Sequence, residues 1–215
     1  MKQTDTTNIK TEEVSPLTVK APQVKRSLFI ARHGETEWNK LKRYQGSMDS
    51  ALTEVGVAQA KNIVRALEGR SIKMMYSSPL GRALQTARII SQGLGIPCET
   101  IECFRELSYG QFEGRSKDEV KAHRFFVERE KDRLHSACPG GESYFEAALR
   151  VQQQVDRIVS SPEDALIVGH TGVNRMIRAL VTKSSLEDYV KYEQTNNELV
   201  EFDFFSNKET VHQLT

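Results

Sequence analysis

Cysteine is scarce: three residues in a chain of 215, none spaced as Cys-x-x-Cys. Cys98, Cys103 and Cys138 therefore argue against a disulfide framework or a structural zinc site, and they suit a reducing compartment. Neither sign of charge is in excess, since 30 Lys and Arg face 29 Asp and Glu for a formal net charge of +1. That balance gives no global pull toward nucleic acid or membrane, so any anion binding must come from local arrangement. No run approaches the roughly 18 apolar residues of a spanning helix. The N-terminal stretch has lysines but no apolar core, so no secretory leader is expected. The expectation is a cytoplasmic, enzyme-sized chain that binds neither nucleic acid nor membrane.

Residues 1–25 are rich in Thr, Lys and Glu and lack periodicity. They are expected to form a flexible N-terminal arm. Residues 26–215 are expected to form a single domain, long enough to bury its own core. Short apolar runs at 28–31, 72–76 and 165–168 read as buried strands. Cys98 to Cys103 reads as a fourth strand, and Glu198 to Phe205 as one at or near a sheet edge. Between them lie helical stripes. Val57, Ala60, Ile63, Val64 and Leu67 follow Thr53 as N-cap. Leu80, Ala83, Leu84, Ala87 and Ile90 follow Ser78 as N-cap, with Pro79 as first helical residue. Phe145, Ala148, Leu149, Val151, Val155 and Ile158 form a third stripe. Val173, Met176, Ile177, Leu180 and Val181 form a fourth, with Thr171 as N-cap. Strands alternating with helices predict an α/β fold, a three-layer α/β/α arrangement around a mostly parallel sheet with one antiparallel edge strand. The charge-dense segment at about 115–138 reads as a helical, lid-like insertion over the site edge.

Four segments deliver an ionisable residue just past an apolar strand or at the helix start that follows: Arg32-His33, Arg82, Glu106 and His170. In an open parallel sheet the carboxyl ends of the strands share one edge, where ligands bind. Two forked guanidiniums there fit a phosphate dianion. There is no Walker loop, no Gly-x-Ser-x-Gly elbow and no His-Glu-x-x-His, and carboxylates do not cluster as in a two-metal site. The remaining nucleophile is histidine, which as a neutral imidazole can attack phosphorus and carry it.

Arg32-His33-Gly34-Glu35-Thr36 with Trp38-Asn39 resembles the signature of the histidine phosphatase superfamily, which includes the cofactor-dependent phosphoglycerate mutases. Ser77-Ser78-Pro79-Leu80 with Arg82-Ala83 and Gln85-Thr86-Ala87 resembles its second block. Leu52-Thr53-Glu54, Glu106 with Phe112-Glu113-Gly114, Pro139-Gly140-Gly141-Glu142 and Val168-Gly169-His170 resemble the rest, in the expected order. The resemblance implies that His33 is the phosphorylated nucleophile and that Arg32, Arg82 and His170 bind phosphoryl oxygens. It implies hydrogen bonds from Asn39 and the Thr171 backbone, substrate contact at Gln45 and Gly46, and Glu106 as a general acid that starts protonated. Glu35 and Glu142 are placed behind the site. No metal and no cofactor is expected. The expected partner is a small-molecule phosphate monoester, and the chain is expected to be a monomer or homodimer. Only about thirty residues separate Glu106 from Pro139, and Gln45 stands where mutases carry a small hydroxyl residue. A metal-independent, acid-type phosphomonoesterase is therefore favoured. A phosphoglycerate mutase or a catalytically quiet phospho-ligand binding module stays as the alternative. Specificity is expected from Tyr44, Gln45, Tyr109 and the insertion, with Lys117, Lys121, Arg124 and His135 as candidates for a second anionic group.

Overall fold

The computed structural model describes residues 25–215, so apart from Lys25 the expected arm lies outside the described residues. Six strands form one sheet: β1 Ser27–Arg32, β2 Ile72–Ser77, β3 Cys98–Thr100, β4 Asp164–Gly169, β5 Glu198–Asp203 and β6 Lys208–Gln213. Their order is β3-β2-β4-β1-β5-β6. β1 to β4 run parallel, and only β5 runs against its neighbours. The reversed strand thus exists, but one place in from the edge. The edge belongs to β6, which sequence patterning misses because no residue of Lys208–Gln213 is buried. A polar edge strand of this kind discourages pairing with other chains.

The sheet is covered on both faces because its central strands alternate side chains to two cores. Leu28 and Ile30 point to one face, into a cluster with Val151, Val155, Met176 and Ile177. These come from α6 Tyr144–Ser160 and α7 Thr171–Thr182. Phe29 and Ala31 point to the other face, where they meet Ile63, Leu67, Ala83 and Ile90. Those belong to α2 Glu54–Leu67 and α3 Gly81–Leu94. The result is the expected three-layer α/β/α arrangement. Two assignments to the third stripe change: Phe145 is 40% and Leu149 58% exposed, and Tyr144 and Ala147 are buried instead.

Local chemistry sets the element ends. Thr53 caps α2 as expected, its hydroxyl accepting from Gly56 N–H. Ser78 does not cap α3; that helix begins at Gly81 without a side-chain cap. Thr171 is the first helical residue of α7 and His170 the cap. The strand expected over 98–103 stops at Thr100 and turns into a short 3-10 segment. A helical turn unseen in the sequence, α1 Glu37–Lys40, is closed by a reciprocal capping box between Thr36 and Asn39. A Cβ on Gly34 would run into the Gly56 carbonyl, so the loop after β1 lies directly on the start of α2. The insertion folds as α4 Lys117–Lys121 and α5 Arg124–Arg129, followed by a 3-10 turn. Phe112, Val120, Phe126 and Cys138 give it a small core of its own, against Tyr44 and Tyr109.

Candidate active site

The register brings three strand ends together: Arg32 lies opposite Gly169, and Ser77 opposite Val168. The ladder continues past each strand, with His33 N–H donating to Gly169 O at 3.0 Å and Ser78 N–H to Val168 O at 3.0 Å. His33, Ser78 and His170 therefore share one edge of the sheet.

His33 is 3% exposed, and its Nδ1 sits 2.7 Å from Gly34 O. A carbonyl only accepts, so Nδ1 carries the proton and Nε2 keeps its lone pair. Burial holds this imidazole well below the ordinary histidine range, and Arg32 and Arg82 push the same way. The ring is a neutral imidazole with its free nitrogen defined.

His170 is arranged differently. Arg82 Nε–H donates to its Nδ1 at 3.2 Å, and its Nε2 lies 2.7 Å from Ser78 Oγ. Nδ1 must then be the acceptor, and Nε2–H donates to the serine. Both nitrogens are occupied, and His170 does not line the cavity. The expected contact of His170 with phosphoryl oxygens has no free ring N–H in this arrangement; what the residue does here is fix the plane of Arg82. Ser78 Oγ also accepts from Leu80 N–H at 3.3 Å, just ahead of the helix start at Gly81.

Arg82, at 1% exposure, uses four of its five donors. Besides Nε, Nη1 donates to Met48 O at 2.6 Å and Asp49 Oδ1 at 3.2 Å, and Nη2 to Gly46 O at 2.8 Å. One Nη2–H remains for the cavity. Arg32 has more to give. Its Nη1 donates to Gln194 O at 3.2 Å, but its Nε is buried with no partner. Burial, opposed by Glu106 and reinforced by Arg82, pushes this guanidinium down to about 10. A buried cationic donor without an acceptor is costly, and an anion in the cavity is what would satisfy it.

Glu106 carboxylate accepts from Leu107 N–H at 2.9 Å, Gly172 N–H at 3.1 Å and Val173 N–H at 3.0 Å. The last two open α7, so the helix N-terminus is aimed at this carboxylate. Three amide donors thus fix the position of this carboxyl group at the cavity wall.

The cavity between these groups has a volume of about 320 Å³. Arg32, His33, Arg82, Glu106 and Thr171 line it, as do Asn39, Gln45 and Gly46. Asn39 spends Oδ1 on Thr36, leaving its amide N–H groups to the cavity. Gln45 accepts from Ser50 Oγ at 3.0 Å. Glu35 and Glu142 stand behind the site, the first held by Thr53 and the second by Arg150. Of the four candidates for a second anion only Lys117 faces the cavity. His135 turns to Asp132, and Arg124 lies over Phe125.

Sequence reasoning missed Arg43, Arg133, Arg175 and the loop 193–196, all of which line the cavity. Arg175 was findable: four residues past Thr171 on one helix, it shares that residue's face. The loop offers no signal in composition, yet Asn196 Nδ2 donates to His33 O at 2.6 Å. Among the described residues no group of three or more His, Cys, Asp and Glu is placed to hold a metal ion.

The two buried histidines link stability to pH. Both are held below the ordinary range chiefly by burial. The unfolded chain therefore takes up more protons once pH falls through about 6.5. Stability in phosphate-free buffer should be at its full value above that pH and fall below it. Each histidine contributes a slope of up to about 1.4 kcal/mol per pH unit until its folded-state pKa is reached. Urea unfolding across this range measures it, and a flat profile would contradict the buried neutral rings.

Residues 28–215 match the description of the histidine phosphatase superfamily (branch 1). A Hydrogenobacter thermophilus protein named as a candidate phosphoserine phosphatase is 31% identical over 189 residues, spanning 86% of this chain and 93% of the relative. An Erwinia tasmaniensis protein named as a candidate phosphoglycerate mutase is 37% identical over 152 residues, 66% of this chain and 68% of that one. Among solved structures, the alpha-ribazole phosphatase of Shigella flexneri superposes with a TM-score of 0.77 at 25% identity, over 87% of this chain and 95% of the other.

Proposed function

The chain belongs to the histidine phosphatase superfamily, and from that membership we propose that it is a cytoplasmic phosphomonoesterase acting on a small phosphorylated metabolite through a phosphohistidine on His33. The observation that carries this reading is the buried, unpartnered Arg32 Nε beside a neutral His33 with a free Nε2. Phosphoryl oxygens would take the Arg32 Nε–H, the spare Arg82 Nη2–H, the Asn39 amide and the Thr171 N–H, which has no intrahelical acceptor at the first helical position. His33 Nε2 attacks phosphorus, and the bond to the leaving oxygen breaks as that oxygen gains a proton through Glu106. Water then gives a proton to Glu106 and attacks phosphorus. The N–P bond breaks, releasing phosphate and restoring His33. The first proton arrives with the substrate monoanion, whose remaining proton is lost near about pH 6, and the proton that Glu106 takes from water leaves with the phosphate. Activity at mildly acidic to neutral pH follows from that delivery.

The name of the Erwinia relative favours a second reading, a phosphoglycerate mutase, and one experiment separates the two. Hydrolysis of 4-nitrophenyl phosphate should be unchanged by a chelator; loss of activity restored by a divalent metal would overturn the His33 mechanism. With 3-phosphoglycerate and a bisphosphoglycerate primer, free phosphate should accumulate without isomerisation. Rapid isomerisation with little free phosphate would make the chain a mutase.

A further inference from the structure

Glu113 touches neither the cavity nor any residue of the chemical steps directly, yet its carboxylate gathers four hydrogen bonds from two separate loops. On one side are Ser47 N–H at 3.0 Å and Ser47 Oγ at 2.6 Å. On the other are Ser108 Oγ at 3.0 Å and Tyr109 N–H at 2.9 Å. The first loop carries the carbonyls of Gly46 and Met48, which hold two arms of the Arg82 guanidinium. The second begins two residues after Glu106. Gly46 adopts φ +56°, and a Cβ there would run into the Glu113 carboxylate, so the loop is shaped to admit it. The negative charge also acts on Arg82 at a distance, favouring its charged form.

We propose that Glu113 is a positioning residue that sets the spacing between the Arg82 phosphate clamp and the Glu106 carboxylate, a role that rests on the phosphatase reading above. The two loops also meet through Tyr44 N–H to Arg115 O at 3.0 Å, Gly114 N–H to Tyr44 O at 2.8 Å and the Tyr44 and Tyr109 rings at 4.6 Å, but it is Glu113 that joins Ser47, between the two carbonyls that hold Arg82, to Ser108 and Tyr109, just after Glu106. Phosphoryl transfer needs the phosphate held and the leaving oxygen met by a proton in one geometry, and about 1 Å of misplacement can cost about 100-fold. Removing the Glu113 carboxylate frees four donors at once and releases the segment at Ser47 from the one at Ser108 and Tyr109. Phosphate still finds the arginines, but the leaving oxygen no longer meets Glu106.

The test is leaving-group dependence. A 4-nitrophenolate leaves with little help from an acid, whereas an alkoxide needs its proton. For Glu113→Ala, kcat/KM on an alkyl phosphate should fall by about 100-fold, and on 4-nitrophenyl phosphate by less than about 5-fold. Glu113→Gln, which keeps an acceptor oxygen, should recover most of the alkyl activity. Ser108→Ala, which loosens only the acid-bearing loop, should show the same split in weaker form and serves if the alanine variant at 113 fails to fold. In a Glu106→Gln background, Glu113→Ala should add no further leaving-group dependence. Equal losses on both esters, or additive losses in the double variant, would overturn the proposal. A wild-type protein inactive on both esters would instead overturn the phosphatase reading.

Discussion

Replacing His33 with alanine is expected to lower turnover by at least about 10⁴-fold, the scale seen when a catalytic nucleophile is removed from an otherwise intact site. The loss should fall on chemistry and not on binding. Arg32 and Arg82 keep their hydrogen bonds to Gln194, Met48 and Gly46 without His33, so phosphate should still bind. His170 cannot substitute, because Arg82 occupies one of its nitrogens and Ser78 the other. The measurement is a rapid-quench trap with labelled substrate. Wild-type protein should carry an acid-labile, base-stable label, as expected of phosphohistidine, and His33→Ala none. A label that survives in His33→Ala but vanishes in a His170 variant would reassign the nucleophile.

Glu106→Gln should be nearly as damaging for ordinary substrates, with kcat/KM on an alkyl phosphate falling by about 10² to 10⁴-fold. Glutamine can offer one oxygen to the amides of Leu107, Gly172 and Val173, but its NH₂ faces donors where the carboxylate had acceptors. It can neither relay a proton to the leaving oxygen nor take one from water. The two steps then separate. An activated aryl ester should still phosphorylate His33, while hydrolysis of the phosphoenzyme stalls. A burst of aryl alcohol stoichiometric with protein, followed by slow release, is the expected trace. Unchanged steady-state turnover would remove Glu106 from the mechanism.

Much of the site was legible because it rides on elements whose pattern is simple. β1 and β4 are buried on both faces, so their residues are uninterrupted apolar runs, and the polar residues after them mark the sheet edge. Where two demands fell on one residue, local rules misled. Ser78 has a good capping sequence, yet its hydroxyl serves both His170 and Leu80 N–H in a turn ahead of the helix. Phe145 and Leu149 fit a helical stripe yet face solvent, since apolar residues on a surface are common. β6 carries no apolar signal at all. Gln194 was invisible for a further reason. It holds Arg32 through its backbone carbonyl, while its side chain reaches Ile30 O and Asn174. A main-chain acceptor leaves no mark in residue identity.

The unpartnered Arg32 Nε bears on how the folded chain behaves between substrates. Arg82 repels Arg32 across the site, and an oxyanion bound between them relieves that repulsion and offers Arg32 Nε an acceptor. Oxyanions therefore act as folding ligands, stabilising the fold by RT ln(1 + [L]/Kd) and so raising the melting temperature more the better they fit. Thermal shift across phosphorylated metabolites becomes a substrate screen that needs no turnover. The same reasoning sets a limit for engineering. Exchanging Arg32 for methionine would make a hardier fold, because the feature that makes the empty chain less stable is the one that makes it receptive.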